Sequence, residues 1–197
     1  MKRTRLWAGL AATAMVATGM TVWAIHSPSA EPSESKTASE IRNAKSESVE
    51  ALLKSGLQHQ IQQDPSGAAE DFRHTLELDP KNKRAWYGLG LVDQQSGRTA
   101  DARADFDKAL NIDPRFMSAL YSEAYMLRTS DPDRAIELLK RAAAADPKAT
   151  AIQMQLGNLL TEQHRRDEAE DAFRHAVAVD HRLLSQVPEE FRDSVSR

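Results

Sequence analysis

Histidines, carboxylates and serines are the side chains with which this chain could do chemistry, since its 197 residues include no cysteine. The six histidines never lie four residues apart, so none forms the His-Glu-x-x-His pair that binds zinc from one face of a helix. Neither a glycine-rich phosphate loop nor a Gly-x-Ser-x-Gly elbow occurs. Acidic groups such as Asp101 and Asp105 have the spacing of a solvated helix face. We therefore predict that the protein is not an enzyme and holds no cofactor or metal ion.

The charge balance limits the kinds of partner. The chain has 26 Lys and Arg against 29 Asp and Glu, a formal net charge of −3, without the basic excess that nucleic-acid binding needs. Hydrophobic residues make up 41% and charged residues 28%, which is the balance of an ordinary globular domain. Because disulfides and thiolate metal sites are excluded, packing alone must stabilise the fold. We expect neither a nucleic acid nor a small-molecule substrate among the partners.

The amino terminus combines basic residues with a long uncharged run. Three basic side chains fall within residues 1–5, and the twenty residues from Leu6 to Ile25 contain no charge. A helix of that length spans about 30 Å, the thickness of the hydrocarbon core of a bilayer. Trp7 and Trp23 lie near its ends, where indole rings favour the headgroup region. We predict a transmembrane signal anchor over 6–25, with residues 1–5 cytoplasmic and the rest of the chain outside.

A cleaved signal peptide is the alternative for this segment. Cleavage after Ser29, with Ser27 two positions before it, would satisfy the small-x-small rule and release a periplasmic or secreted protein. Residues 26–45 are rich in Ser, Glu, Lys and Pro and have little to bury. This composition predicts a flexible linker between the membrane and the remainder of the chain.

An apolar pattern recurs about every 34 residues after the linker. Each copy ends on an aspartate, which proline follows in the first three: Asp79-Pro80, Asp113-Pro114, Asp146-Pro147 and Asp180. Before each aspartate, alanines and larger apolar residues recur at steps of 4, 3 and 1, which is one face of a helix that proline then ends. A second apolar helix precedes it. The pattern predicts an all-α solenoid of about four helical hairpins, in copies 49–82, 83–116, 117–149 and 150–183.

The second copy carries the residues of a known repeat. It reads Trp86-x2-Leu89-Gly90, then Ala102-x3-Phe106 and then Pro114. This order resembles the tetratricopeptide repeat, whose pattern is Trp-x2-Leu-Gly-x2-Tyr, later Ala-x3-Phe and later Pro. The four copies depart from the pattern at the tyrosine position, where they have His59, Asp93, Leu127 and Leu160. The resemblance implies an α-solenoid over residues 46–185, and since solenoid ends need a cap, 186–197 is interpreted as a carboxyl-terminal cap.

The resemblance also implies a concave groove lined by the first helix of each hairpin. Rigid aromatic rings with nearby arginines are typical of recognition surfaces, and all three tyrosines fall at groove positions. The predicted peptide-binding residues are Arg84, Tyr87, Gln94, Tyr121, Tyr125, Arg128, Met154 and Asn158. Leu53, Leu57 and Leu91 share this face and are interpreted as core between repeats. Leu53 and Leu57 also stand where some family members have a Lys and Asn clamp, which disfavours a receptor for carboxyl-terminal tails.

These observations predict a scaffold or adaptor that binds a peptide or helix of another protein on the extracytoplasmic side of the cell membrane. Two alternatives stay open. One is a non-catalytic accessory subunit of a membrane-associated enzyme or assembly machine. The other is a structural protein whose solenoid ends stack through Leu184 and Phe191.

Overall fold

The structure, a computed structural model, describes residues 33–196 and is all-helical in that range, without strands. The helices are α1 (Ser33–Ile61), α2 (Pro65–Leu78), α3 (Lys83–Gln95), α4 (Thr99–Ile112), α5 (Met117–Leu127), α6 (Pro132–Ala145), α7 (Thr150–Glu162), α8 (Arg166–Val179), a 3₁₀ helix (His181–Gln186) and α9 (Glu189–Val195). Each helix from α1 to α8 packs on the next one along the chain. The predicted solenoid of four helical hairpins is confirmed, with α1, α3, α5 and α7 as the first helices.

The recurring aspartate explains why every second helix ends where it does. In each copy the aspartate N–H donates to the carbonyl four residues before it, which closes the last turn. Its carboxylate accepts the N–H two residues further on, at 2.9–3.2 Å, so the chain turns into the next helix. Asp180 makes the same two bonds although no proline follows it. The aspartate is therefore sufficient for the turn, and the proline is an addition to it.

Close contact between the two helices of a hairpin depends on matched side-chain sizes at facing positions. Phe106 and Phe173 of the second helices are fully buried under Gly90 and Gly157 of the first helices. A Cβ added at Gly157 would lie 2.5 Å from the Phe173 ring, which is too close for any real contact. In the third hairpin the same two positions hold Ala124 and Leu139. A larger residue on one helix is thus matched by a smaller one on the other.

Substituting Gly157 tests this pairing. Gly157→Ala should lower the free energy of unfolding by up to about 2 kcal/mol, because overpacking costs about 1–3 kcal/mol and the better helix propensity of alanine returns only about 1 kcal/mol. Urea unfolding measures the loss. The double variant Gly157→Ala/Phe173→Leu copies the third hairpin and should be more stable than the sum of its two single changes predicts. Additive losses would show that the two positions do not compensate.

The predicted linker differs from the structure. Residues 26–45 were expected to be flexible, whereas α1 begins at Ser33 and so includes most of this range. Side chains from Thr37 to Ser48 are all exposed, so the expectation that little is buried here agrees with the structure. The segment is helical because a packed helix already exists from Val49 onward, and extending a helix avoids the cost of nucleation. The first helix of the repeat region therefore begins before residue 46.

The membrane prediction concerns residues that the structure does not describe. The uncharged run 6–25 and the residues up to 32 lie outside the described range. Between residues 33 and 196, no helix has both the length and the apolar composition needed to cross a bilayer.

The carboxyl-terminal end of the solenoid is closed by the 3₁₀ helix and α9, of which α9 lies in the range 186–197 interpreted as a cap and the 3₁₀ helix lies just before it. Phe191 is 1% exposed and its ring centroid lies 5.4 Å from that of Phe173. Arg166 of α8 lies over the Phe191 ring and donates a hydrogen bond to the Glu190 carbonyl. End-to-end stacking through Leu184 and Phe191 is therefore wrong as a description of this surface, because Phe191 is already inside the core and Leu184 is half-buried.

Candidate peptide-binding groove

Two pockets lie along the face formed by α1, α3, α5 and α7; together they are called the groove below. The first pocket has a volume of about 280 Å³ and is lined by Leu53, Leu57, Gln60, Phe72, Lys83, Arg84, Tyr87, Gly88, Leu91, Phe116 and Ser118. The second pocket is smaller, about 20 Å³, and is lined by Tyr121, Ala124, Tyr125, Arg128, Leu139, Gln155, Asn158, Leu159 and Glu162. The first pocket draws mainly on the first two hairpins and the second on the last two, so the groove follows the long axis of the repeat array.

Six of the eight predicted residues line these pockets. Arg84 and Tyr87 are in the first pocket, and four more are in the second: Tyr121, Tyr125, Arg128 and Asn158. Gln94 is half-buried and lines neither pocket. Met154 is wrong as a groove residue, because its side chain is 8% exposed and belongs to the core. Its unbranched chain fills space on α7, a helix that packs against both α6 and α8.

The groove also contains residues that the sequence analysis missed. Leu57 was interpreted as core but is 43% exposed at the first pocket, whereas Leu53 is buried and forms its floor. On α7, Gln155 and Glu162 line the groove together with the predicted Asn158. Their spacing of three and four residues makes a polar stripe on an otherwise apolar helix, and this stripe was the signal that could have identified them.

The tyrosines of the groove differ in how free they are. Tyr87 is half-buried between Phe106 and Phe116, with ring centroids 5.8 Å and 5.5 Å away, and its hydroxyl lies 3.3 Å from the Ser122 hydroxyl. Tyr121 is half-buried against the core. Tyr125 is 63% exposed. Tyr87 therefore forms part of the wall of the first pocket, whereas the Tyr125 ring is exposed to solvent at the second pocket.

Ion pairs hold the charged side chains at the edges of the groove. Arg84 lies 3.3 Å from Glu50 at the first pocket, and Arg128 lies 3.2 Å from Glu162 at the second. Lys83 donates a hydrogen bond of 2.5 Å to Asp113. This bond, together with one from the Arg115 backbone N–H, holds the pKa of Asp113 below its usual range. The four charged side chains that line the pockets are thus already paired within the molecule.

A buried glutamate lies on α5, on the side away from Tyr121 and Tyr125. Glu123 is 0% exposed, and neither carboxylate oxygen has a hydrogen-bond partner within the described residues. The Nε atoms of Arg103 on α4 and Arg134 on α6 both lie 3.9 Å from its Oε1. Burial raises the pKa of Glu123, and the nearby Asp107 raises it further. The position corresponds to Leu89 one repeat earlier, so a charge replaces a core leucine.

The histidines do not gather into a reactive site. His59 Nδ1 lies 3.1 Å from Asp71 Oδ2, an interaction between two helices of the first hairpin. His74 and His175 are exposed on α2 and α8. In the part of the chain that the structure describes, no three His, Asp or Glu side chains come together in a geometry that could hold a metal ion.

Stacked helix pairs with one open face define the class of α-solenoids that bind other molecules along that face. Two tetratricopeptide repeat family models match this chain, over residues 53–119 and 126–187. The chain is a tetratricopeptide repeat protein, as its repeat pattern indicates.

Solved structures and curated proteins agree with this assignment. The chain is similar to the crystal structure of MamA, with a TM-score of 0.62 and 21% identity, covering 76% of this chain and 88% of that one. It is also similar to YrrB, described as a TPR protein with an unusual peptide-binding site, with a TM-score of 0.58 and 23% identity over 68% of this chain and 70% of YrrB. Both likenesses concern the fold.

Among curated proteins, anaphase-promoting complex subunit 3 of Schizosaccharomyces pombe is 28% identical over 116 residues. The match covers 58% of this chain but 17% of that subunit. The chain therefore spans less than a fifth of this relative, and what the two share is the repeat region.

Proposed function

We propose that the protein is an adaptor that binds a peptide segment of another protein in the groove, and that it acts by binding and not by catalysis. The observation that carries the proposal is the exposure of apolar side chains where the pockets lie. Leu57 and Tyr125 are 43% and 63% exposed, one at each pocket. Exposed apolar side chains grouped in a concave, partly polar site are typical of ligand-binding surfaces.

Two further features support this adaptor role. Asn158 and Gln155 present exposed side-chain amides that have no hydrogen-bond partner within residues 33–196. YrrB, which has a similar fold, is described as having a peptide-binding site. An amide group beside an exposed aromatic ring suits recognition of a polypeptide, which offers both main-chain polar groups and side chains.

Crosslinking in intact cells tests the proposal. A photoreactive amino acid at Tyr125 should give a discrete adduct with a second protein after irradiation. The matched control is the same substitution at Val179, which is 50% exposed at the end of α8 and lines neither pocket. Identical adducts at both positions, or no adduct at Tyr125, would argue against the groove.

We also propose that the groove lies on the extracytoplasmic side, tethered through residues 6–25. The uncharged run beside a basic cluster supports this topology. The exposed part of α1 fits a spacer role, since residues 37–48 in a helix of 1.5 Å rise would extend roughly 18 Å from the repeats. Protease added to intact spheroplasts should digest the repeats, and the chain should stay with the membrane in alkaline carbonate. Protection from protease would place the repeats in the cytoplasm and contradict the topology.

A further inference from the structure

The groove has no charge to offer a ligand. Arg84 and Arg128 are paired with Glu50 and Glu162, and Lys83 is paired with Asp113. The two arginine pairs join the first helices of neighbouring repeats, and the lysine pair joins the start of α3 to the end of α4 within the second repeat. A charged ligand group could therefore gain a partner only by breaking one of these contacts. A charged ligand side chain would also lose water on entering the groove without gaining a new ion pair. Charge therefore acts against binding here, and an uncharged occupant matches the groove.

The remaining groups of the groove define what such an occupant needs. Leu57, Leu91 and Phe116 form apolar walls around the first pocket, which is the larger of the two. At the second pocket the exposed Tyr125 ring offers a flat apolar surface. A bulky apolar side chain fits the first pocket, and an aromatic or flat apolar side chain fits against Tyr125.

The free amides on α7 indicate the conformation of the occupant. Gln155 and Asn158 are exposed beside Tyr125 and unpaired within the described helices. A helical ligand satisfies its own backbone N–H and C=O groups, and it would leave these amides without partners. An extended ligand presents backbone groups that both amides can bind.

The two pockets also set a spacing. The first is centred on α3 and the second lies between α5 and α7. With helix axes roughly 10 Å apart, the pocket centres are separated by roughly 15 Å. An extended chain advances about 3.3 Å per residue, so two anchor side chains need a spacing of about four to five residues.

We propose that the groove selects an uncharged, extended segment with two apolar anchors about four to five residues apart. One anchor fills the pocket at Leu57, the other packs on Tyr125, and the main chain beside the second anchor is bound by Gln155 and Asn158. This inference rests on the proposed function, because it names the ligand class of the same groove.

Selection from a random twelve-residue peptide library on phage tests the inference with the full-length protein. Parallel selections use the wild type, Leu57→Ser, Tyr125→Ser and the control Val179→Ser. Enriched peptides should bind the wild type and Val179→Ser equally, and bind Leu57→Ser and Tyr125→Ser at least tenfold more weakly. They should carry two apolar residues at the stated spacing with no charge between them. Synthetic copies with blocked termini should keep the same Kd between low and high salt.

The outcomes separate this inference from the proposed function. Peptides that need Leu57 and Tyr125 but also need an acidic or basic residue, or whose Kd rises tenfold with salt, would overturn the neutral-ligand inference and leave the peptide-binding groove in place. Peptides that bind all four proteins equally, or no enrichment on the wild type, would overturn both. Uncharged peptides that depend on both groove residues support both.

Discussion

Replacing Phe191 with alanine should lower the free energy of unfolding by about 3–5 kcal/mol, the usual range for removing a fully buried phenylalanine. The ring is 1% exposed and packs on Phe173 of the last repeat. Its loss should also expose the apolar end of the solenoid, so Phe191→Ala should self-associate at concentrations where the wild type does not. Urea unfolding and light scattering measure the two effects.

A neighbouring exposed residue provides the control for this prediction. Asp193 is on the same helix, is exposed, and should be replaceable by alanine with little change in stability. Equal effects of Phe191→Ala and Asp193→Ala would show that α9 does not act as a cap. Strong destabilisation without self-association would show that the end of the solenoid is not apolar enough to bind another copy.

The second large effect has the opposite sign: Glu123→Leu should make the protein more stable at neutral pH by about 1–4 kcal/mol, the range found when whole buried ion pairs are replaced by well-packed apolar residues. The carboxylate is fully buried without a hydrogen bond. Arg103 and Arg134 are 44% and 29% exposed, so both remain solvated after the change. A leucine already occupies the matching position, Leu89, in the preceding repeat.

The same variant should alter how stability depends on pH. Burial raises the pKa of Glu123 in the folded state, whereas the unfolded chain ionises near the ordinary value of about 4.3. Between these two values the folded state holds more protons, so wild-type stability falls as the pH rises through that window. Glu123→Leu and Glu123→Gln lack this loss, and their advantage over the wild type should therefore be larger at pH 7 than at pH 4.5.

Urea midpoints of all three proteins at both pH values measure this difference. Glu47→Leu is the control, because Glu47 lies on the exposed part of α1 and its removal should leave the pH dependence unchanged. An advantage of Glu123→Leu that is equal at both pH values, or a loss of stability at pH 7, would show that the two arginines compensate the buried charge.

The repeat architecture was predictable because each unit carries its own folding signals. Asp79, Asp113, Asp146 and Asp180 end the second helices by the same pair of hydrogen bonds. The apolar positions between them follow the helix period, and they bury the face that each repeat cannot bury alone. Because the same pattern occurs in four copies, it predicts the fold more strongly than a single copy would.

The features that sequence reasoning missed depend on tertiary context. The part of α1 from Thr37 to Ser48 buries little, and it forms as an extension of a helix that packs further along. Met154 was placed in the groove by its repeat position, but the packing of α7 brings Gln155 there and puts Met154 in the core. Glu123 occupies a leucine position, and only the structure shows that its charge has no hydrogen bond. In each case the conformation or burial of the residue depends on how its helix packs against the rest of the fold.

Methyl NMR on the full-length protein with labelled leucines gives the most direct test of the groove, using an uncharged peptide from the library selection. Leu57 and Leu91 line the first pocket, while Leu110 and Leu138 are buried outside both pockets. Adding the peptide should shift the methyl signals of Leu57 and Leu91 and leave those of Leu110 and Leu138 in place. Shifts confined to Leu110 and Leu138, or no shift at Leu57 and Leu91 at a saturating peptide concentration, would contradict ligand binding on the inner face.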